Sequence, residues 1–192
     1  MTEAQQDVIE LLTHDHREVE QMFQQLEGLR GQTDEASRKR RKELVDQVII
    51  ELVRHSVAEE TQVYPQVQAK VSAEEAERAK HEHSEAEETM KALDGMDPDD
   101  PQFEAQLETL MREIREHVAE EEGEMFPHMR TVFSEQELVE LAGKVQQIKK
   151  IAPTHPHPAV PNERVPRLAA GPVAGLFDRA RDAVTGRGRE SD

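Results

Sequence analysis

Apolar residues recur three and four apart over most of the first 151 positions, which is the spacing of one face of an α-helix. The first predicted helix runs from about Glu3 to Leu29, with Ile9, Leu12, His16, Val19, Phe23 and Leu26 on its stripe. After the segment Gly31 to Asp34, a second spans roughly Ala36 to Tyr64 and carries Val45, Val48, Leu52, His55 and Glu59. Pro65 is expected to end or kink it, because proline lacks a backbone donor and clashes with the preceding turn. Ser72 with Glu75 reads as a capping box opening a third helix with Ala76, Ala79, His83, Ala86, Met90 and Leu93 on one face. A Gly/Asp/Pro turn comes next, with Asp100 as the expected N-cap and Pro101 at the first helical position. The fourth helix carries Phe103, Leu107, Leu110, Ile114, His117 and Glu121 and meets Pro127, as the second meets Pro65. Ser134 and Glu137 form another capping box, opening a short fifth helix to about Ile151.

Each of four stripes thus contains a histidine, and two of them add a glutamate four residues later. Residues i and i+4 share a helix face, so His55 with Glu59 and His117 with Glu121 can each point an imidazole and a carboxylate at one spot. The chain also repeats itself. HDHREVEQMFQQLEGL (14–29) aligns with HEHSEAEETMKALDGM (81–96), and HSVAEETQVYP (55–65) with HVAEEEGEMFP (117–127). A duplicated helix pair implies an all-α, up-down-up-down four-helix bundle with a pseudo-twofold axis. The axis equates His16 with His83, His55 with His117, and Glu59 with Glu121. Midpoints between successive histidines fall at the expected turns, near Asp34 to Ala36, Ala69 and Asp100, so all four reach one level of an antiparallel bundle.

Composition changes after residue 151. Pro153, Pro156, Pro158, Pro161 and Pro166 mark an extended linker, and a last amphipathic stretch sets Val173, Leu176, Phe177, Ala180 and Val184 on one side. The expected organisation is a bundle with its fifth helix over 1–151 and a linker with tail segment over 152–192. The 192 residues carry 24 Lys+Arg against 41 Asp+Glu, a net charge of −17, and the excess acid lies in the bundle part. That disfavours nucleic acid and anionic membranes as partners. No apolar run approaches a membrane span, and MTEAQQDVIELL lacks the basic-then-apolar form of a secretory signal. The expected compartment is therefore the cytoplasm. Cysteine is absent, which removes disulfides, thiolate nucleophiles and thiolate-held metal clusters together.

Nitrogen and oxygen donors concentrated in a bundle interior are costly without a partner, and a bound metal pair is the simplest one. His16, His55, Glu59, His83, His117 and Glu121, without sulfur, suit a metal of intermediate hardness, with iron the best match. Two octahedral ions need about twelve bonds. Four imidazoles, two bridging carboxylates and a bridging oxo or hydroxo leave roughly one open position per iron. Those positions suit a small diatomic or a peroxide.

The order His16, His55-x-x-x-Glu59, His83, His117-x-x-x-Glu121 resembles the hemerythrin-like, HHE cation-binding proteins. Asp15-His16 and the aromatic-proline steps Tyr64-Pro65 and Phe126-Pro127 resemble that family as well. The likeness covers residues about 5–135 and implies a non-haem di-iron centre reacting with dioxygen, nitric oxide or peroxide. The linker and amphipathic tail resemble an extension found on some actinobacterial members. Oxygen-carrying hemerythrins place a further histidine one turn after the third-helix ligand, where this chain has Glu87. They use an aspartate five residues after the fourth-helix histidine, where this chain has Glu122, with Glu121 at four. A carboxylate or water in place of an imidazole makes a harder, more open site, which favours peroxide or nitric oxide chemistry, iron handling or sensing over reversible oxygen carriage.

The remaining polar residues have plainer readings. Glu20 and Glu87 are expected to be solvated or outer hydrogen-bond partners, with ligation as the alternative. Glu60 and Glu122 lie about 100° around their helices from the preceding glutamate and are assigned to the surface. Tyr64 and Phe126 lie about 180° from their helix's histidine and are assigned to packing, with a ligand or radical site as the alternative for Tyr64. His14 and His81 are expected in solvent, and His155 and His157 in a plain linker. Three functions stay open. The first is a di-iron protein binding or reducing peroxide, dioxygen or nitric oxide in stress defence or sensing, with catalase-like or nitric-oxide-peroxidase-like turnover as possible activities. The second is an iron store or buffer, although none of Thr13, Leu52, Lys80 and Ile114 supplies the acid of a ferritin-type Glu-x-x-His. The third is an acidic helical interaction module without metal, and an iron- or oxygen-responsive regulatory binding module is the alternative beside iron storage. The tail is expected to dock on the bundle, on another subunit or on a protein partner.

Overall fold

The computed structural model describes residues 6–156. Seven α-helices succeed one another: α1 (Val8–Gly28), α2 (Glu35–Ala58), α3 (Tyr64–Lys70), α4 (Ala73–Leu93), α5 (Phe103–Glu120), α6 (Phe126–Val132) and α7 (Glu135–Ile151). Two π-helical turns, Glu59–Val63 and Glu121–Met125, join α2 to α3 and α5 to α6 without a break. The described residues contain no strand. The four-helix bundle is built from α1, α2 with α3, α4, and α5 with α6, and α7 packs along α1, α2 and the first π turn.

Local signals set most helix starts. Asp7 opens α1 with a reciprocal capping box to Glu10 (2.9 and 3.1 Å), four residues later than the sequence pattern suggests. Asp34 caps α2 through Ser37 N–H, Ser72 caps α4 through Glu75 N–H, and Ser134 with Glu137 caps α7. Each satisfies amide donors that the first turn leaves unpaired. Gly31 (φ 76°) and Gly95 (φ 80°) supply the left-handed residue in the two long-helix turns. The start of α5 differs from expectation. Asp100 accepts from Gln102 N–H within a turn, and the helix begins at Phe103 with no side-chain cap.

Pro65 and Pro127 do not end their helices. Tyr64 N–H reaches back five residues to the Glu59 carbonyl, and Phe126 N–H to that of Glu121. One extra residue in the turn moves the i−4 carbonyl out of the proline ring's way, so the helix passes through the proline.

Two apolar clusters hold the bundle. One gathers Leu12, Val63, Val67, Ala76, Ala79, Phe126 and Met129 with Leu138, Leu141 and Val145 of α7. The other gathers Val19, Phe23, Leu26, Val48, Leu52, Met90, Phe103, Leu107, Leu110 and Ile114. Burying each such large side chain contributes roughly 1.5–3 kcal/mol. The layer between them is polar and contains all four stripe histidines. After α7, Ala152 to His155 are buried, and His155 Nδ1 lies 3.0 Å from Asp94 at the end of α4. The linker therefore begins folded onto the bundle rather than as a free spacer. His157 and the amphipathic stretch from Val173 to Val184 lie outside the described residues.

Candidate metal centre

Height and face bring the six expected side chains together. His16, His55, His83 and His117 are all about 95% buried, and Glu59 and Glu121 are closed off from solvent almost completely. His16 and His55 face each other through Nε2 at 3.2 Å, as do His83 and His117 at 3.1 Å. The glutamates join the two pairs. Glu59 Oε2 is 3.0 Å from His55 Nε2 and 3.4 Å from His83 Nε2. Glu121 Oε2 is 3.4 Å from His16 Nε2 and 3.6 Å from His117 Nε2. The six residues form a closed ring in which each carboxylate lies between one imidazole of each pair.

The outward nitrogen of every imidazole meets a carboxylate. The Nδ1 contacts are His16 to Glu122 (2.9 Å), His55 to Asp15 (3.2 Å), His83 to Glu60 (3.2 Å) and His117 to Glu82 (2.7 Å). These partners obey the repeat, Asp15 matching Glu82 and Glu60 matching Glu122. In a neutral imidazole a carboxylate at Nδ1 fixes the proton there and leaves the Nε2 lone pair aimed into the ring. Two lone pairs facing at about 3.2 Å repel unless a proton or a cation lies among them.

Burial opposes charge on His55, yet Glu59 and Asp15 outweigh it and raise its pKa to about 10. Burial likewise opposes His83, which hydrogen bonds to Glu59 and Glu60 raise to about 9. Burial alone would push Glu59 up, but His55 and His83 hold it well below the usual carboxylate range. Burial also acts against ionisation of Asp15 and of Glu82. His55 and Lys149 outweigh it for Asp15, and His117 for Glu82, so both are lowered. Lys149 reaches Asp15 from α7 at 2.6 Å.

Fit to a cation can be judged from the buried oxygens. Glu59 Oε1 and Glu121 Oε2 are buried and make no hydrogen bond, the latter having only its longer ionic contacts to His16 and His117. Leaving such an atom unpartnered costs about 1–3 kcal/mol. Two donor groups converge within metal-ligand reach: His16, His55, Glu59 and Glu121, and Glu59, His83 and His117. Glu59 belongs to both. The residues therefore suit a metal cation.

This geometry is joined by similarity along the chain. The Hemerythrin HHE cation binding domain family matches residues 7–129. The chain belongs to that family. It is 32% identical over 173 residues to an uncharacterized hemerythrin-like protein of Schizosaccharomyces pombe, covering 88% of this chain and 82% of that one. The crystal structure of a hemerythrin HHE cation binding domain-containing protein from Mycobacterium kansasii superimposes with a TM-score of 0.62 over 76% of this chain and 88% of the other. At 22% identity that likeness speaks to the fold. Membership of the family, together with the His/Glu cluster, implies metal binding, with iron as the metal. Among the described residues no helix is long and apolar enough to cross a membrane.

The structure overturns several assignments that rest on periodicity alone. Tyr64 is fully buried, and its hydroxyl lies 2.9 Å from Glu121 Oε1, 3.1 Å from His83 Nε2 and 3.3 Å from Glu59 Oε2. Burial and the adjacent Glu121 and Glu59 raise its pKa well above 10. Phe126 is a packing residue as expected, but it faces the centre and stacks on His16 with ring centroids 5.9 Å apart and planes within 5° of parallel. The π turn is the cause of both placements: one inserted residue rotates the downstream helix by about 100°, swinging each aromatic from the far side of its helix toward the centre. Glu60 and Glu122 are not surface groups but partners of His83 and His16. Asp15 and Glu82 escape a reading of the apolar stripes, although the repeat aligns an acid with an acid at these positions.

Other expectations hold. His14 and His81 are exposed, each near a glutamate on its own helix. Glu20 pairs with Arg115, and Glu87 lies 3.6 Å from Lys91. One expectation fails: His155 is buried against Asp94 instead of lying in a plain linker.

Proposed function

We propose that this chain holds two iron ions, with His16 and His55 serving one, His83 and His117 the other, and Glu59 and Glu121 bridging them. The observation that carries this reading is the ring itself: four Nε2 atoms turned inward and two buried glutamates, each within reach of one imidazole from each pair. A bound iron pair supplies electrons and open coordination positions for a small oxygen or nitrogen species. The chain's own residues set the conditions for it. The four outer carboxylates engage Nδ1 of each ring, so that Nε2 is the nitrogen presented to a cation. Tyr64 has one hydroxyl proton and donates it to a glutamate, steadying that carboxylate in the ring. Leu12 and Leu52 pack in the apolar clusters on either side of the centre and keep bulk water out there, while Val19 and Ile114 narrow the approach to His16. The best-supported function is binding or reduction of peroxide, dioxygen or nitric oxide, in defence against such species or in sensing them.

The test begins with elemental analysis and the near-ultraviolet spectrum of the purified protein, which should show two irons per chain. His117→Ala should release at least one equivalent. Retention of two irons in that variant refutes the ligand set. Turnover of peroxide and nitric oxide by the loaded parent then separates an enzyme from a sensor.

A further inference from the structure

Access to the centre is unequal around the bundle. A groove of about 410 Å³ runs between α1 and α5, with buried His16 among its lining residues and Glu122 at its rim. Its walls are Val19, Phe23, Ile114, Val118 and Ala119, so the passage is mostly apolar. The charged groups stand at the mouth and are paired there. Arg17 meets Glu122 at 2.7 Å, and Arg115 spans Glu20 at 2.9 Å and Glu27 at 2.9 Å. The internal repeat shows what is special about this side. The position of Arg115 corresponds to Val53, which is buried with 6% exposure, whereas the Arg115 side chain is 41% exposed. The guanidinium extends across to α1 and leaves the small Ala119 and Val118 to line the opening.

We propose that this α1/α5 groove is the route by which small uncharged molecules reach the His16 side of the centre, and that its mouth turns anions away. This rests on the di-iron reading and names the class of ligand that the site takes. An anion gains nothing at the mouth, because both arginines already hold carboxylates at hydrogen-bond distance. It would also approach a chain of net charge −17. A neutral diatomic or hydrogen peroxide meets neither obstacle and passes a wall of valine, phenylalanine, isoleucine and alanine. The charge pairs thus filter by charge, and the walls by size.

Two measurements test this, the first of which needs no metal. Dissolved dioxygen is paramagnetic, so in the metal-free protein it should enhance methyl relaxation at Val19 and Ile114 (5% and 8% exposed) several-fold more than at Ile50 and Val53 (6% each), which do not line the groove. Equal enhancement at all four overturns the route. The second uses the iron-loaded protein in stopped flow, with nitric oxide as the neutral probe and azide as the anion. Ala119→Trp, at the groove's opening, should slow nitric oxide binding at least tenfold while iron content is unchanged. Arg115→Leu frees Glu20 and Glu27 and should slow azide several-fold more than nitric oxide, with a difference that shrinks as salt is added. Unchanged nitric oxide kinetics in Ala119→Trp overturn the route, and an equal effect of Arg115→Leu on both probes overturns the charge filter. Failure of the di-iron reading itself would already appear as missing iron in the parent before either probe is added.

Discussion

Removing one outer carboxylate should weaken metal binding without touching a ligand, and Glu82 gives the sharpest case. Its Oε2 lies 2.7 Å from His117 Nδ1, the shortest of the four such contacts, and the pairing lowers its pKa despite the burial that acts against it. The bond does two things for His117: it places the proton on Nδ1, which frees Nε2, and it fixes the ring's rotation. A charge-assisted hydrogen bond of this kind contributes roughly 1.5–3 kcal/mol. Loss of an outer partner of a metal-bound histidine typically costs about 10–100-fold in affinity, or about 1.4–2.8 kcal/mol, and the two figures agree. Glu82→Leu should therefore weaken iron binding by about 10–100-fold, and Glu82→Gln, which keeps an acceptor oxygen but not its charge, by less. Competition against a chelator of known affinity measures this, at a temperature where circular dichroism shows both variants fully helical. Equal affinity in parent and Glu82→Leu would refute the reasoning, because His117 would then need no help to present Nε2. A larger loss in Glu82→Gln than in Glu82→Leu would do the same.

The same geometry yields three further outcomes. In the metal-free protein His55 (about 10) and His83 (about 9) are protonated at neutral pH and must lose those protons to bind a cation. Affinity should thus climb on the order of a hundredfold per pH unit between about 6.5 and 8.5, measured by the same competition, and a flat profile is inconsistent with it. Both values are raised above the unfolded value of about 6.5, so the stability they lend the metal-free fold is complete below that pH and lost as pH rises through 9 to 10. Tyr64→Phe should fit sterically, as Phe126 does at the equivalent place. It should cost the metal-free protein about 1–3 kcal/mol in chemical denaturation, because the buried carboxylates lose their hydroxyl partner; no change would mean the hydroxyl is idle. Leu110→Ala, at a fully buried position in the cluster below the centre, should cost about 2–5 kcal/mol, and a loss under about 1 kcal/mol would show that the core collapses to fill the gap.

The fifth of the long helices, α7, matters to the centre as well as to the core. Leu138, Leu141, Ala142 and Val145 bury its inner face, and Lys149 near its end reaches Asp15, which in turn holds His55. Among the described residues no lysine or arginine is hydrogen-bonded to Glu82 in the equivalent position. Arg78 there is engaged by Glu120 and Glu124 and acts on Glu82 only at longer range. The outer partners of the two halves are thus matched in place but not in charge.

Sequence and tertiary structure contributed different things. The fold was written in the chain at the level of periodicity, since a 3.6-residue stripe needs only local geometry to be read, and the capping residues Ser72 and Ser134 act within one turn. The six inward residues were legible for the same reason: i to i+4 spacing fixes a face, and antiparallel order fixes a height. The repeat holds still more, because it preserves Glu60 with Glu122 and an acid at Asp15 and Glu82, the four partners of the imidazoles. What the chain alone could not decide was helix phase beyond residues 59 and 121. A π turn differs from an α turn by one residue, Pro65 and Pro127 could equally be met by a kink or a break, and it forms where packing of the aromatic against the centre outweighs the poorer hydrogen bonding. That one-residue shift puts Tyr64 among the carboxylates and Phe126 on His16. The docking of α7, which joins Lys149 to Asp15 across 134 positions of sequence, was likewise decided only when the apolar faces closed on each other.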